Sequence, residues 1–291
     1  MIGSILIDKF VDDYTIVWGT GLLREKTLTN KPAKVCAVRG PLTREVLLKS
    51  NIECPEIYGD PALLLPHYYY PYITKKYKLG IIPHHSHIKS PLLNNFKRNK
   101  DIKIIDFTSY SNWKNVIKEM LSCDFIVSES LHGLIIADAY KIPNYYISFG
   151  SINQDFKYKD YFLSINRPPY KPYIITKDTT YENILSLRTK YNNTFNIDLK
   201  KLANACPVKL TNINMNNIIK PYTNKVLLCC IAKLENDYIR EFVEYYKKLG
   251  FDNICLYDNN DPDGEHFEDV IDDYIKSGFV ILKDVRGMKL A

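Results

Sequence analysis

The chain has 291 residues, 46% of them hydrophobic, enough to bury one large core or two ordinary ones and too many for a disordered protein. Its 39 basic and 33 acidic residues leave a net charge of +6 without any block of like charge, which slightly favours anionic small substrates or a lipid surface and gives no nucleic-acid signature. Seven cysteines without a CxxC pair exclude a disulfide framework and read as reduced core residues of a cytosolic protein, and no apolar run approaches the roughly 18 residues of a membrane span.

In chain order, IGSILI, YTIVWG, KVCAV and IYG are short β-rich runs, and PLTREVLLKS between the last two has Pro41 at a first helical position. After the aromatic stretch LPHYYYPYITKKY comes a second series: strand LGIIP, strand IKIIDF, helix WKNVIKEML, strand DFIVS, helix LHGLIIADAY and strand NYYIS. Trp113, Val116, Ile117, Met120 and Leu121 share one helical face, as a helix covering a sheet requires. Short apolar strands joined by such helices predict a parallel sheet covered on both sides. Residues 176–224, rich in Asn, Lys and Thr, read as a partly helical linker. A third unit follows: strand VLLCCIA, a helix from Asn236 to Leu249 with Gly250 as its stop, and strand NICLYD.

SESLHGLIIADAY breaks two apolar segments with a polar turn. In an open parallel sheet, ligands bind beyond the carboxyl ends of the strands, and DFIVS ends at Ser128. The next helix begins near Leu131, so its first N–H groups and positive dipole end favour an anion such as phosphate or carboxylate, held by Ser128, Ser130 and Gly133. His132 stands in the first turn as an acid/base near neutral pH, and Glu129 is placed to orient it. The residues alone equally allow a structural reading, in which Ser128 and Ser130 cap the helix and His132 is satisfied within the core.

The runs IVWGTGLL, VCAVRGPLTREVLLKSNIECPEIYGDPALLLP, LGIIPHHSH and CDFIVSESLHGLIIADAYKIP together resemble the polysaccharide pyruvyl transferases, including the exopolysaccharide ketal-pyruvate transferases, over roughly residues 1–150. The resemblance implies two Rossmann-like halves of GT-B-like type and transfer of pyruvate from phosphoenolpyruvate onto a sugar, commonly closing a cyclic ketal. Phosphoenolpyruvate is then a co-substrate and no cofactor is needed. The acceptor is a polysaccharide or a lipid-linked oligosaccharide, with peripheral membrane association compatible, nucleic acid excluded, and the cytoplasm, at the inner face of a membrane, as the location. Such chemistry needs an acid, a base and clamps for two anionic groups; His132 fits the first role, and Arg39 and Arg44, flanking a Gly-Pro turn, are candidate clamps, although a solvated helix position is the simpler reading of Arg44. Many family members carry an Arg two residues before this His, where the present chain has Ser130; either Arg39 compensates or donor binding is altered. Relatives also begin with a further strand and a Gly-Asp loop, so the amino-terminal half is expected to be incomplete.

His84, His85 and His87 follow LGIIP, but no Cys or carboxylate stands at a familiar zinc spacing, and acceptor binding by His84 or His85 is favoured over a metal. Asp60, in GDPALLLP, binds a sugar hydroxyl or caps the following turn. DNNDPDGEHFE imitates a calcium loop, with Gly264 at its sixth position and Asn259, Asp261 and Asp263 in place. However, Val270 stands where a bidentate Glu is required, which rejects an EF-hand. The stretch CCIAKLENDYIREFVEYYKKLGFDNICLYDNNDPDG instead resembles the amino-terminal part of a GT-A type glycosyltransferase, with Asp258 near the nucleotide sugar. In such enzymes a later Asp-x-Asp segment holds a divalent metal. The expected α/β architecture is a pyruvyl transferase region over 1–175 (halves about 1–75 and 76–175), a linker over 176–224 and a partial glycosyltransferase-like βαβ fragment over 225–291. The alternatives are a working glycosyltransferase and an inactive truncated fragment.

Overall fold

Where the sequence alternates short apolar runs with amphipathic ones, the chain builds parallel strands and covering helices. The computed structural model describes residues 3–150, 155–191, 195–208, 210, 227–248 and 251–287, and the chain divides into two units, Met1–Pro221 and Tyr222–Ala291.

The first unit opens with a parallel pair, β1 (Ile16–Trp18) and β2 (Lys34–Ala37), followed by α1 (Pro41–Lys49), a 3-10 turn over Pro61–Leu64 and the short α2 (Leu65–Tyr68). Next come β3 (Leu79–Ile82), β4 (Ile102–Ile104), α3 (Trp113–Leu121), β5 (Ile126–Ser128), α4 (Leu131–Ala139), β6 (Asn144–Ser148), α5 (Asp155–Ser164) and β7 (Tyr173–Ile174). The five strands pair in parallel in the order β4-β3-β5-β6-β7. The period-2 alternation of strand side chains splits the core. Ile82, Ile126 and Tyr146 pack beneath α3, α4 and α5, whereas Ile81, Val127 and Ile147 join Phe96, Phe125, Ile184 and Leu187 on the opposite face. The α4 segment is apolar nearly all round because it is buried nearly all round, from Leu131 through Asp138 with His132 the exception.

Three expectations are corrected. Gly3–Ile7, within the run IGSILI, forms no strand; its backbone crosses beside Gly21, exchanging the Gly21 N–H to Gly3 carbonyl bond (3.0 Å) and the Leu6 N–H to Gly21 carbonyl bond (3.3 Å). IYG contributes only an isolated bridge between Val38 and Tyr58. The stretch read as a linker is largely part of the first unit: α6 (Tyr181–Ser186) and the turn after it bury Ile184 and Leu187, and α7 (Leu199–Asn204) buries Leu202 and Ala203 against Ala37 and Leu64. The Trp18 indole N–H donates to the Leu202 carbonyl at 2.9 Å. Residues 192–194, 209 and 211–224 of that stretch lie outside the described residues.

The second unit is a three-stranded parallel sheet in the order β10-β9-β8, built from β8 (Leu227–Ala232), α8 (Ile239–Lys248), β9 (Asn253–Asp258), α9 (Glu268–Lys276) and β10 (Val280–Asp284). Ile239, Val243, Ile254, Leu256, Phe267, Ile271 and Val280 form its core. No helix among the described residues is long and apolar enough to cross a membrane.

Candidate active site

A cleft of about 300 Å³ opens beyond the carboxyl ends of the adjacent strands β4, β3 and β5. Its walls are Asp106, Phe107 and Thr108 after β4, Pro83, His84 and His85 after β3, and Ser130, Leu131 and His132 at the start of α4, closed by Ser4 and Lys157. That volume suits a small molecule.

The turn between β5 and α4 is built by packing. Ser128 is fully buried; its hydroxyl donates to the Ser130 carbonyl (2.8 Å) and accepts the Ser130 N–H (3.0 Å). A Cβ on Gly133 would stand 2.1 Å from Ser128 Oγ, so glycine lets α4 press directly onto the end of β5. The Ser128 side chain is therefore a structural support, and Gly133 is the point of close packing that seats α4 on it. Ser130 does line the cleft, and its side chain makes no capping bond. The N–H groups of Leu131, His132 and Gly133 find no acceptor among the described residues, so the helix start retains donors and the positive dipole end for an anion.

Glu129 does not orient His132. Its carboxylate lies under the neighbouring loops, where it accepts the His84 N–H (3.1 Å), His87 Nδ1–H (2.9 Å), the Ser148 hydroxyl (3.1 Å) and the Phe149 N–H (2.8 Å). Four donors fill the lone pairs of one carboxylate and tie together the loops after β3, β5 and β6. His132 faces Asp60 instead, Nε2 to Oδ2 at 3.6 Å. Asp60 is fully buried and its Oδ1 accepts the Ala62 N–H at 2.9 Å, so it caps the 3-10 turn and does not reach a sugar hydroxyl. His84 and His85 do border the cleft, their rings 4.0 Å apart, and burial, then the His85 and Lys157 charges, lower the His84 pKa.

The two arginine clamps are also corrected. Arg39 is fully buried and already neutralised: Nε and Nη2 meet Asp160 Oδ2 at 3.0 and 2.9 Å, Nη1 donates to Ser4 Oγ at 2.6 Å, and Nη2 donates to the Leu22 carbonyl at 2.7 Å. Asp160 in turn accepts the Thr43 N–H (2.9 Å) and hydroxyl (2.7 Å), locking α5 to the start of α1. Arg44 donates to the Cys54 carbonyl at 3.1 Å and braces the end of α1. Neither arginine lines the cleft.

The cation that does line it, Lys157 on α5, is missed by the sequence reading. Only 7% of Lys157 is exposed. Its ammonium lies 5.0 Å from the centre of the Tyr158 ring, and among the described residues no carboxylate comes within 4.0 Å of it. Burial first, then the Arg39 charge, push its pKa down to about 8, against a smaller opposing pull from Glu129. DFKYKDYFLS gives little warning: Lys157 and Lys159 look alike on paper, and only the fold seals the first.

This fold and cleft define an α/β protein in which an uncapped helix start, a buried lysine and a histidine are gathered at the carboxyl edge of a parallel sheet. Residues 5–151 match the polysaccharide pyruvyl transferase family, and residues 225–291 match glycosyltransferase family 92. The chain is 31% identical over 204 residues to an uncharacterised protein of Acanthamoeba polyphaga mimivirus, covering 65% of this chain and 68% of that protein. It is 29% identical over 153 residues to the succinoglycan biosynthesis protein ExoV of Rhizobium meliloti, covering 51% of this chain and 46% of ExoV. The chain belongs to the polysaccharide pyruvyl transferase family.

Proposed function

We propose that the first unit transfers pyruvate from phosphoenolpyruvate to a hexose of a surface or exopolysaccharide, or of its lipid-linked precursor, closing a ketal. The observation that carries this reading is the convergence in one cleft of an uncapped helix start, the buried Lys157 and His132. The donor has two anionic groups; the α4 N–H groups suit one, and the Lys157 ammonium, exchanging a desolvated charge for an ion pair, suits the other. His132 protonates the methylene carbon of the enol. A sugar hydroxyl adds to the electron-poor C2, phosphate departs with its bridging oxygen, and a second hydroxyl closes the ring. Of the two hydroxyl protons released, one replaces that spent on the new methyl group and the other leaves with phosphate.

Calorimetric titration with phosphoenolpyruvate tests this site. Binding should be weakened at least about tenfold in Lys157→Met, as expected when a buried charge partner is removed. Undiminished binding by the variant would remove Lys157 and its cleft from the account. A second reading, glycosyl transfer from a nucleotide sugar, is favoured by the match of residues 225–291. Nucleotide sugars in the same titrations separate it from the first.

A further inference from the structure

Beside the cleft, two polar atoms sealed from solvent face each other. Asp60 Oδ2 and His132 Nε2 are both buried, neither has a hydrogen-bond partner among the described residues, and they lie 3.6 Å apart. Neither side is free to withdraw. Asp60 heads the turn fixed by Pro61, and Gly19 packs so closely on that proline that a Cβ there would lie 2.4 Å from the ring. The His132 imidazole is backed by Gly3, where a Cβ would stand 3.1 Å from Cε1. Although Nε2 is sealed, 35% of the His132 side chain remains exposed, so its open portion lies elsewhere on the ring.

A buried carboxylate oxygen without a donor is costly, and an imidazole lone pair directed at it would add repulsion. A proton on Nε2 resolves both problems at once. We propose that Asp60 is the positioning residue for His132: it keeps the proton on Nε2, so that Nδ1 is the nitrogen that gives and takes the proton of the substrate. The arrangement parallels any catalytic histidine whose tautomer is fixed by a buried carboxylate on one nitrogen. The substrate named here rests on the pyruvyl transfer reading; the tautomer does not.

The test uses the full chain with ¹⁵N-labelled histidine at about pH 8, above the ordinary histidine range, where long-range proton-nitrogen correlations distinguish the two neutral tautomers. A His132→Asn spectrum assigns the signal. In the wild type His132 should be the Nε2–H tautomer. In Asp60→Asn, whose amide can keep the Ala62 N–H bond while turning an N–H toward Nε2, the proton should move to Nδ1. The kcat of that variant should fall by about 10²- to 10⁴-fold, the range expected of a wrong tautomer, while KM for phosphoenolpyruvate changes less than about threefold. An Nδ1–H tautomer in the wild type, or an unchanged tautomer in Asp60→Asn, would overturn the proposal. Should Asp60→Asn not fold, the wild-type tautomer alone decides. Absence of phosphoenolpyruvate turnover by the wild type would count against the reaction and leave the tautomer result standing.

Discussion

Lys157→Met should make the unliganded protein more stable while weakening its hold on phosphoenolpyruvate. The lysine is 7% exposed and its pKa falls from 10.5 to about 8, so the folded state disfavours its charged form. At about 1.4 kcal/mol per pKa unit, that burial costs on the order of 3 kcal/mol below pH 8. The sign follows from proton linkage: between about pH 8 and 10.5 the unfolded chain binds more protons than the folded one, so wild-type stability rises with pH as the penalty is relieved. Methionine fills a similar volume without charge. Its stabilising effect should therefore be about 2 to 3 kcal/mol at pH 7 and shrink toward nothing near pH 10.5. Urea unfolding followed by tryptophan fluorescence reads this in the right place, because both tryptophans, Trp18 and Trp113, belong to the first unit. A Met variant with no stability gain at pH 7, or with a gain that does not depend on pH, would refute the argument that a desolvated charge is held there for a ligand.

Arg39→Ala leaves Asp160 buried without its cation and should destabilise the first unit by about 3 to 5 kcal/mol, measured by the same unfolding curves; a loss of phosphoenolpyruvate affinity at unchanged stability would restore Arg39 as a donor clamp. Glu129→Gln exchanges an acceptor-only carboxylate for an amide that meets the His84, His87, Ser148 and Phe149 donors with one N–H₂ group. Amide exchange at His84 and Phe149 should accelerate; unchanged protection would show that the carboxylate is not what ties the loops. Gly133→Ala forces a Cβ onto Ser128 Oγ and should displace α4 from β5 with a loss of about 1 to 3 kcal/mol, whereas a neutral effect in thermal unfolding would mean the turn can yield. Phosphoenolpyruvate affinity in the wild type should fall as pH rises through about 8, where Lys157 loses its proton in the free protein; a flat profile by calorimetry from pH 7 to 9 would contradict its role.

The parallel sheet is legible in the sequence because its strands are short apolar runs separated by turn residues, and WKNVIKEML carries the helical period that places Val116, Ile117, Met120 and Leu121 on the core face, while Trp113, expected there too, stays 46% exposed at the first turn. The β5–α4 turn is legible for the same reason: only a strand end followed by a helix start explains polar residues between two buried segments. Its wiring is not. Glu129 and His132 are neighbours in sequence, yet the carboxylate turns under the loops to His87 while the imidazole meets Asp60, more than seventy positions away along the chain. Arg39 after a strand suggests an anion clamp until Asp160 arrives from α5, a long-range ion pair that no local spacing announces. The 176–224 stretch is rightly read as partly helical, but its Asn-rich composition conceals that Ile184, Leu187, Leu202 and Ala203 complete the first unit, since a few apolar residues on short helices give only a weak period.

Pyruvyl transfer is read by turnover in deuterated water with phosphoenolpyruvate ¹³C-labelled at its methylene carbon and a panel of hexose-bearing glycans. The expected products are a labelled methyl group bearing one deuterium on a ketal carbon of the glycan and one phosphate per ketal, with neither formed by His132→Ala. Consumption of a nucleotide sugar with phosphoenolpyruvate untouched across the panel, or ketal formation at the wild-type rate by His132→Ala, would contradict this reading.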